Sequence, residues 1–295
     1  LPVAGDLPAR LDALFAGSQQ NPDWQRIACA LAARGRFSII TGGPGTGKTT
    51  TVVRLLALLQ TPAVEAGKPL RIRLAAPTGK AAARLTESIG RQVGALPVDD
   101  AVRDAIPTEV STLLRLLGSL PDSRHFRHHA GNPLALDVLV VDEASMIDLE
   151  MMANVLAALP PQARLVLLGD KDQLASVEAG AVLGDLCRRA DAGCYSPATV
   201  DWLQQVSGQS LAGSGLQPGD ESTHLLEQQT AMLRHSHRFG SDSGIGELAR
   251  AVNRCDATAA RDLLQRGLFA DIHSRRLTDL RDPGFAALVL GSEGG

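Results

Sequence analysis

The chain is predicted to be of the α/β class, a parallel sheet covered by helices on both faces. Three observations carry this prediction. Short apolar runs alternate with helical stretches along most of the sequence. The runs FSII (37–40), RIRLAAP (71–77), VLVVDEA (138–144) and RLVLLGD (164–170) are largely apolar on both faces, as strands buried from both sides must be. Aromatic residues make up 3% of the chain and hydrophobic residues 44%, so the core is aliphatic, as in buried parallel sheets.

Residues 1–20 carry Pro and Gly with a short helical pattern at Leu7, Leu11 and Leu14, and are expected to be a linker or tail. Pro22 precedes WQRIACALAARG, a helix with Trp24, Ile27, Ala28 and Leu31 at 3/4 spacing, ended by Gly35. FSII leads through a glycine loop into a helix from Lys48 to Leu59, and RIRLAAP into one from Gly79 to about Gly90. SLPDSRHFRHHAGNPL (119–134), with Pro and Gly at its edges and basic residues between, predicts a small hairpin excursion. SGQSLAGSGLQPGDES (207–222) is Gly/Ser-rich and predicts a flexible connector. TAMLRHSHRF, helices over about Gly244–Asn253 and Ala257–Gln265, and LFADI then start a second α/β unit, which the chain does not complete.

Composition excludes several classes. With 295 residues, 21% of them charged, the chain is long enough for two domains and too apolar for wholesale disorder. A net charge of −3 argues against a protein that coats nucleic acid through a global basic field, and leaves a local basic groove open. Cys29, Cys187, Cys194 and Cys255 are scattered without a CxxC pair, which suits a reducing cytosol rather than a disulfide framework or zinc site. No signal peptide and no bilayer-length apolar run is found, so a cytoplasmic protein without membrane partners is expected.

The chemistry-bearing motifs sit at the strand ends, where α/β sheets bind ligands. GGPGTGKT (42–49) follows a strand and opens a helix, the context that makes GxxxxGK[ST] a P-loop. Gly42, Gly45 and Gly47 allow the backbone amides to turn inward on phosphate oxygens, and the helix N-terminus adds positive potential. Gly42, Gly43, Pro44, Gly45, Thr46, Gly47, Lys48, Thr49 and Thr50 are the expected ATP-holding stretch. Lys48 reaches the β- and γ-phosphates and Thr49 supplies a hydroxyl to Mg²⁺. After the next motif strand, Asp142 is assigned to Mg²⁺ and Glu143 to general-base duty. Gln173 in LLGDKDQL is placed to sense the γ-phosphate, and Gln25 lies on the helix just before the first strand. PTGKAAARL puts Thr78 and Lys80 at a helix N-terminus with Arg84 one turn on, a phosphate-gripping arrangement suited to DNA.

GGPGTGKTTT, LAAPTGKAAARL, VLVVDEASMID, LLGDKDQLASVEAGAVLGDL and SHRFGSDSGIGELA, in this order, resemble the superfamily 1B helicases. Within them the resemblance is to the RecD family, the alpha subunits of bacterial exodeoxyribonuclease V (RecBCD). It covers roughly residues 20–270. It implies a P-loop NTPase with two RecA-like domains clasping ATP, 5′→3′ movement on single-stranded DNA, and work beside RecB and RecC in double-strand break repair. By resemblance, Gln25 reads the adenine, Thr78 and Lys80 form the first DNA-contacting motif, and Arg238 is the fourth-motif arginine that reaches the γ-phosphate. Lys48, Glu143, Gln173 and Arg238 are then the catalytic set. STLLRLLG (111–118) lies where the family has a further DNA motif, usually with His where this chain has Leu114, which leaves Arg115 as the candidate contact. The hairpin resembles the family's strand-splitting pin, with His125, Arg127, His128 and His129 as its basic residues.

The expected organisation is a tail over 1–20, a RecA-like domain over 21–195 with a hairpin insertion at about 119–136, a connector over 196–223 and an incomplete second RecA-like domain over 224–295. The chain begins at Leu1 rather than Met and lacks the family's last two motifs. A truncated, poorly active piece of the subunit is therefore expected. A stand-alone RecD-like helicase and a non-catalytic ATP-binding interaction module are the alternatives.

Overall fold

The computed structural model describes residues 6–18, 20–173, 182–237, 243–272 and 274. The described residues through His237 form one compact unit, and those from Ser243 form a second. The first unit runs α1 (Leu7–Leu14), α2 (Trp24–Arg34), β1 (Phe37–Gly42), α3 (Lys48–Glu65), β2 (Ile72–Ala76) and α4 (Gly79–Val93). It continues through α5 (Asp100–Asp104), β3 (Val110–Thr112), α6 (Leu113–Leu117), β4 (Val138–Val141) and α7 (Leu149–Ala158). It ends with β5 (Arg164–Gly169), α8 (Val182–Leu186), α9 (Pro197–Ser207) and β6 (Thr230–Leu233).

Among the described residues, six strands form one sheet in the order β3-β2-β4-β5-β1-β6, and every pairing is parallel. The alternation of side chains on each strand divides the core in two. Val138 and Val140 of β4 belong to one apolar layer with α2, α3 and α4, whereas Leu139 and Val141 belong to the other with α6, α7 and α8. Ile40 against Ile39, and Val166 against Leu165 and Leu167, repeat the division on β1 and β5. Full burial of each such side chain contributes about 1.5–3 kcal/mol, which is why strands covered on both faces read as continuous apolar runs.

Helix starts are fixed by local chemistry. The Asp23 carboxylate accepts from the amides of Gln25 and Arg26 to open α2, and Asp148 accepts from Met151 to open α7. The excursion after α6 folds back on itself through antiparallel bridges Ser119–Phe126 and His129–Asn132, as its Pro and Gly edges predict.

Two expected boundaries are corrected. Residues 6–18 are no linker: Leu7, Leu11, Leu14 and Phe15 are all buried in the layer beneath α2 and α3. The stretch 196–223 is no free connector either. Ser196 caps α9, whose Thr199 and Leu203 are fully buried against α1 and α2. TAML, expected to open a second unit, is β6 and pairs with β1. Tyr195 anchors the return by donating from Oη to the Thr230 carbonyl at 2.7 Å. Composition misled here because Gly and Ser crowd around one short capped helix and one four-residue strand.

In the second unit, α10 (Gly244–Asn253) and α11 (Ala257–Arg266) pack together. The Asp271 carboxylate accepts from Ser243 Oγ (2.7 Å) and the Gly244 amide (2.9 Å) at the start of α10, and the Ser243 bond holds its pKa below the usual range. The remainder of the expected second RecA-like domain lies outside the described residues.

Candidate functional site

Because β4, β5, β1 and β6 are neighbours running in one direction, the segments that leave their carboxyl ends converge. These are 42–48 after β1, 142–145 after β4, 170–173 after β5 and 234–237 after β6. They line one cavity of about 1410 Å³. Gln25, Thr46, Lys48, Thr49, Asp142, Glu143, Gln173, Thr78, Lys80 and Arg84 all contribute to it. That volume exceeds the roughly 300–1,000 Å³ of a typical small-ligand cleft, so it has room for more than one ligand group.

The loop after β1 depends on its glycines. Gly45 and Gly47 have φ of 76° and 83°, in the left-handed region. A Cβ on Gly42 would lie 2.7 Å from Thr46 Oγ1, and one on Gly47 only 2.2 Å from Gln25 Nε2. Lys48 is folded over the loop, its Nζ donating to the carbonyls of Gly42 (2.6 Å) and Gly43 (3.2 Å). Thr46 Oγ1 braces the turn by donating to Gly43 O at 2.9 Å.

At the end of β4, Asp142 is half-buried, and burial pushes its carboxyl up to about 6. The Glu143 amide and the Lys48 charge oppose that shift, while the Glu143 charge reinforces it. Glu143 takes a φ of 51°, unusual for a residue with a Cβ; such backbone strain collects at functional sites. Ser145 donates to Gln173 Oε1 at 2.6 Å, joining the loops after β4 and β5. Lys171 locks the latter loop through Asp172 (2.6 Å) and Asp191 (2.8 Å), and its amide donates to Thr41 Oγ1.

Gln25 is the hub on the other side. Its Nε2 donates to Thr46 O at 3.3 Å and lies 3.4 Å from His237 Nε2, while its Oε1 accepts from Arg54 at 3.1 Å. The segment after β6 closes on the glycine loop, with the His237 amide donating to Gly45 O (2.8 Å) and Ser236 Oγ to Pro44 O (3.1 Å).

Thr78, Lys80 and Arg84 are exposed, and the Thr78 hydroxyl caps α4 by accepting from the Ala81 amide. Arg115 is exposed on α6 and is not part of the cavity lining. Of the hairpin histidines, His128 Nδ1 lies 3.2 Å from Asn132 O and His129 Nδ1 accepts from Gly131 N, so both rings serve the turn. Arg238 lies outside the described residues. Sequence reasoning missed Ser145, Arg54, Ser236 and His237. Ser145 directly follows the DEA of its motif, and Arg54 is a lone cation in the apolar run VVRLLALL, both usable signals.

The family model described as AAA domain matches residues 25–179. The RecBCD enzyme subunit RecD of Haemophilus influenzae is 43% identical over 281 residues, covering 94% of this chain and 42% of that protein. The RecBCD enzyme subunit RecD of Mycolicibacterium smegmatis is 47% identical over 245 residues, covering 82% of this chain and 37% of that protein. The ATP-dependent RecD2 DNA helicase of Deinococcus radiodurans is 38% identical over 196 residues, covering 65% of this chain and 24% of that protein. The chain thus spans about two fifths of the length of the curated RecD relatives it matches. With its P-loop, its parallel sheet and a family match over more than half its length, the chain belongs to the AAA-domain family, and its similarity runs to RecD subunits.

Proposed function

We propose that this chain is the nucleotide-binding part of an ATP-dependent DNA helicase motor that moves 5′→3′ on single-stranded DNA beside RecB and RecC in double-strand break repair. The observation that carries the reading is the shared cavity, where a P-loop lysine, a strand-end acidic pair, a tethered glutamine and a cationic helix start meet. Similarity to proteins named RecD and RecD2 DNA helicase supports the same reading.

The residues present fit ATP and Mg²⁺. The half-buried Asp142 carboxylate and the Thr49 hydroxyl are hard oxygen donors beside a phosphate cradle, the set that suits Mg²⁺. When bound there, Mg²⁺ supplies positive charge that neutralises the phosphates. The amides of 43–48 hold the phosphate oxygens, and Lys48 exchanges the Gly42 and Gly43 carbonyls for the β- and γ-phosphates. Glu143 takes the proton from the attacking water. Gln173, tethered by Ser145, responds to the γ-phosphate and passes its loss to the loop after β4. Arg238 completes the catalytic set, and Gln25 reads the base. Lys80 and Arg84 grip the DNA backbone from a helix start oriented by Thr78, with Arg115 a separate contact.

The test is steady-state ATP turnover by the full-length subunit with and without single-stranded DNA, beside Lys48→Ala in the same subunit. DNA-stimulated turnover that this substitution abolishes is expected. Turnover unchanged in Lys48→Ala overturns the catalytic reading.

A further inference from the structure

We propose that Arg54, stacked on Phe15, is the positioning residue for base selectivity: it locks the Gln25 amide in the one orientation that pairs with adenine and opposes guanine. The inference rests on the reading of the cavity as an ATP site and of Gln25 as its base-reading residue.

A glutamine amide has an accepting oxygen and a donating nitrogen, and turning it over exchanges them. Here the partners dictate which is which. The arginine guanidinium only donates, so the atom facing Arg54 Nη1 at 3.1 Å is the oxygen. The Thr46 carbonyl only accepts, so the atom facing it at 3.3 Å is the nitrogen. The two contacts come from different segments and agree. Arg54 is itself held, with its Cζ 4.6 Å from the ring centroid of the buried Phe15, within range of a cation–π contact. Gly47 presses on the other side, where any Cβ would collide with Gln25 Nε2. The amide is clamped between an arginine on α3 and the glycine loop.

That clamp has a chemical consequence. Adenine presents the N6 donor and the N7 acceptor side by side, and a glutamine reads them by accepting from one and donating to the other. Gln25 Oε1 keeps a lone pair beyond the one used by Arg54 and is available to N6. The Nε2 hydrogen directed at His237, over the longer contact of 3.4 Å, is the one N7 takes. Guanine places its O6 acceptor where adenine has N6, against the same oxygen. Turned over, the amide would set its nitrogen against N6 and its oxygen against N7 and lose both bonds to adenine, while still giving its nitrogen to guanine O6. Arg54 therefore acts through Gln25, and the buried Phe15 near the chain start acts through Arg54.

The experiment measures equilibrium binding of Mg–ATP, Mg–GTP and Mg–tripolyphosphate to the full chain, to Gln25→Ala, to Arg54→Met and to the double variant. The wild-type chain is expected to prefer ATP over GTP by about tenfold or more, as a bidentate amide–adenine pair does. Arg54→Met should reduce the preference, the Thr46 contact remaining, while leaving tripolyphosphate affinity unchanged, a readout that a merely structural role for Arg54 would move. Gln25→Ala should flatten it, and the double variant should fall no further than Gln25→Ala. A wild-type preference retained in Arg54→Met while Gln25→Ala flattens it overturns the proposal and leaves the base-reading role of Gln25 standing. Loss of tripolyphosphate in parallel with ATP in Arg54→Met overturns it too, because Arg54 would then support the loop. A flat preference in the wild type, or an unchanged one in Gln25→Ala, removes the base-reading role and the proposal together. Should Arg54→Met fail to fold by thermal melting, Arg54→Gln carries the test: its amide can donate or accept and no longer dictates which Gln25 atom faces it, so a reduced preference is expected and a wild-type one overturns the proposal.

Discussion

Two helices of this chain start beside the same cavity, and they start differently. α3 opens on Gly47 in the left-handed region, with no side chain capping its first turn. α4 opens on Thr78 in extended conformation, and the threonine hydroxyl accepts from the Ala81 amide. Every helix begins with orphan amides, and the question is what satisfies them. At α3 the uncapped amides lie in a half-buried glycine loop, a fixed positive concavity suited to an enclosed anion. At α4 the chain caps its own amide, and the charge comes from Lys80 and Arg84, exposed side chains on flexible stems. The first start suits a small ligand held at one place. The second suits a polyanion that is gripped, released and felt through salt.

Substitutions at the two starts should have separable effects. The largest effect is expected at the enclosed start: Lys48→Ala should lower ATP turnover by about 10²–10³-fold, the usual cost of losing one preorganised group that stabilises transition-state charge. Steady-state kinetics with an unchanged melting curve would check it. Next, Lys80→Ala with Arg84→Ala should weaken single-stranded DNA binding in low salt. It should also reduce the slope of log K against log salt by about 1.4, roughly 0.7 for each lost phosphate contact. An unchanged slope would mean that these side chains do not meet phosphate.

Smaller effects concern stability. Burial raises the Asp142 pKa from 3.8 to about 6, so the folded chain holds that proton more tightly than the unfolded chain. Between those values stability therefore falls as pH rises, and at neutral pH the ionised carboxylate is a burden when no cation is bound. Asp142→Asn should stabilise the nucleotide-free chain by about 1–2 kcal/mol at neutral pH and flatten this part of the pH dependence. Thermal melts in chelator across the pH range test this, and a destabilised variant would contradict it. The smallest effect is Thr78→Ala, a lost helix cap on an exposed turn, expected to cost about 1 kcal/mol in denaturant titration. Nucleotide affinity should not change.

The sheet was legible in the sequence because strands buried on both faces leave little choice of residue: β2, β4 and β5 fall within the apolar runs read at the outset, and β1 extends its run by two residues. The P-loop and strand-end acids were legible because phosphate and metal chemistry restrict both residue type and spacing. Three things were not. β6 is too short to show a period, and its place beside β1 follows from topology rather than from its four residues. The burial of Leu7, Leu11 and Leu14 depends on α3 and α9, neither of which a local pattern at the chain start can announce. The contacts of His237 and Ser236 with the glycine loop join residues nearly two hundred positions apart in sequence.

The most direct test of the central claim is a crossed binding measurement. Equilibrium affinities for Mg–ATP and for single-stranded DNA, each taken alone at fixed low salt, are compared for the wild type, Lys48→Ala, and Lys80→Ala with Arg84→Ala. The expected result is separable losses: Lys48→Ala weakens ATP and spares DNA, and the double substitution weakens DNA and spares ATP. Parallel loss of both ligands in either variant would contradict it, because the enclosed start of α3 and the exposed start of α4 would then be one site rather than two.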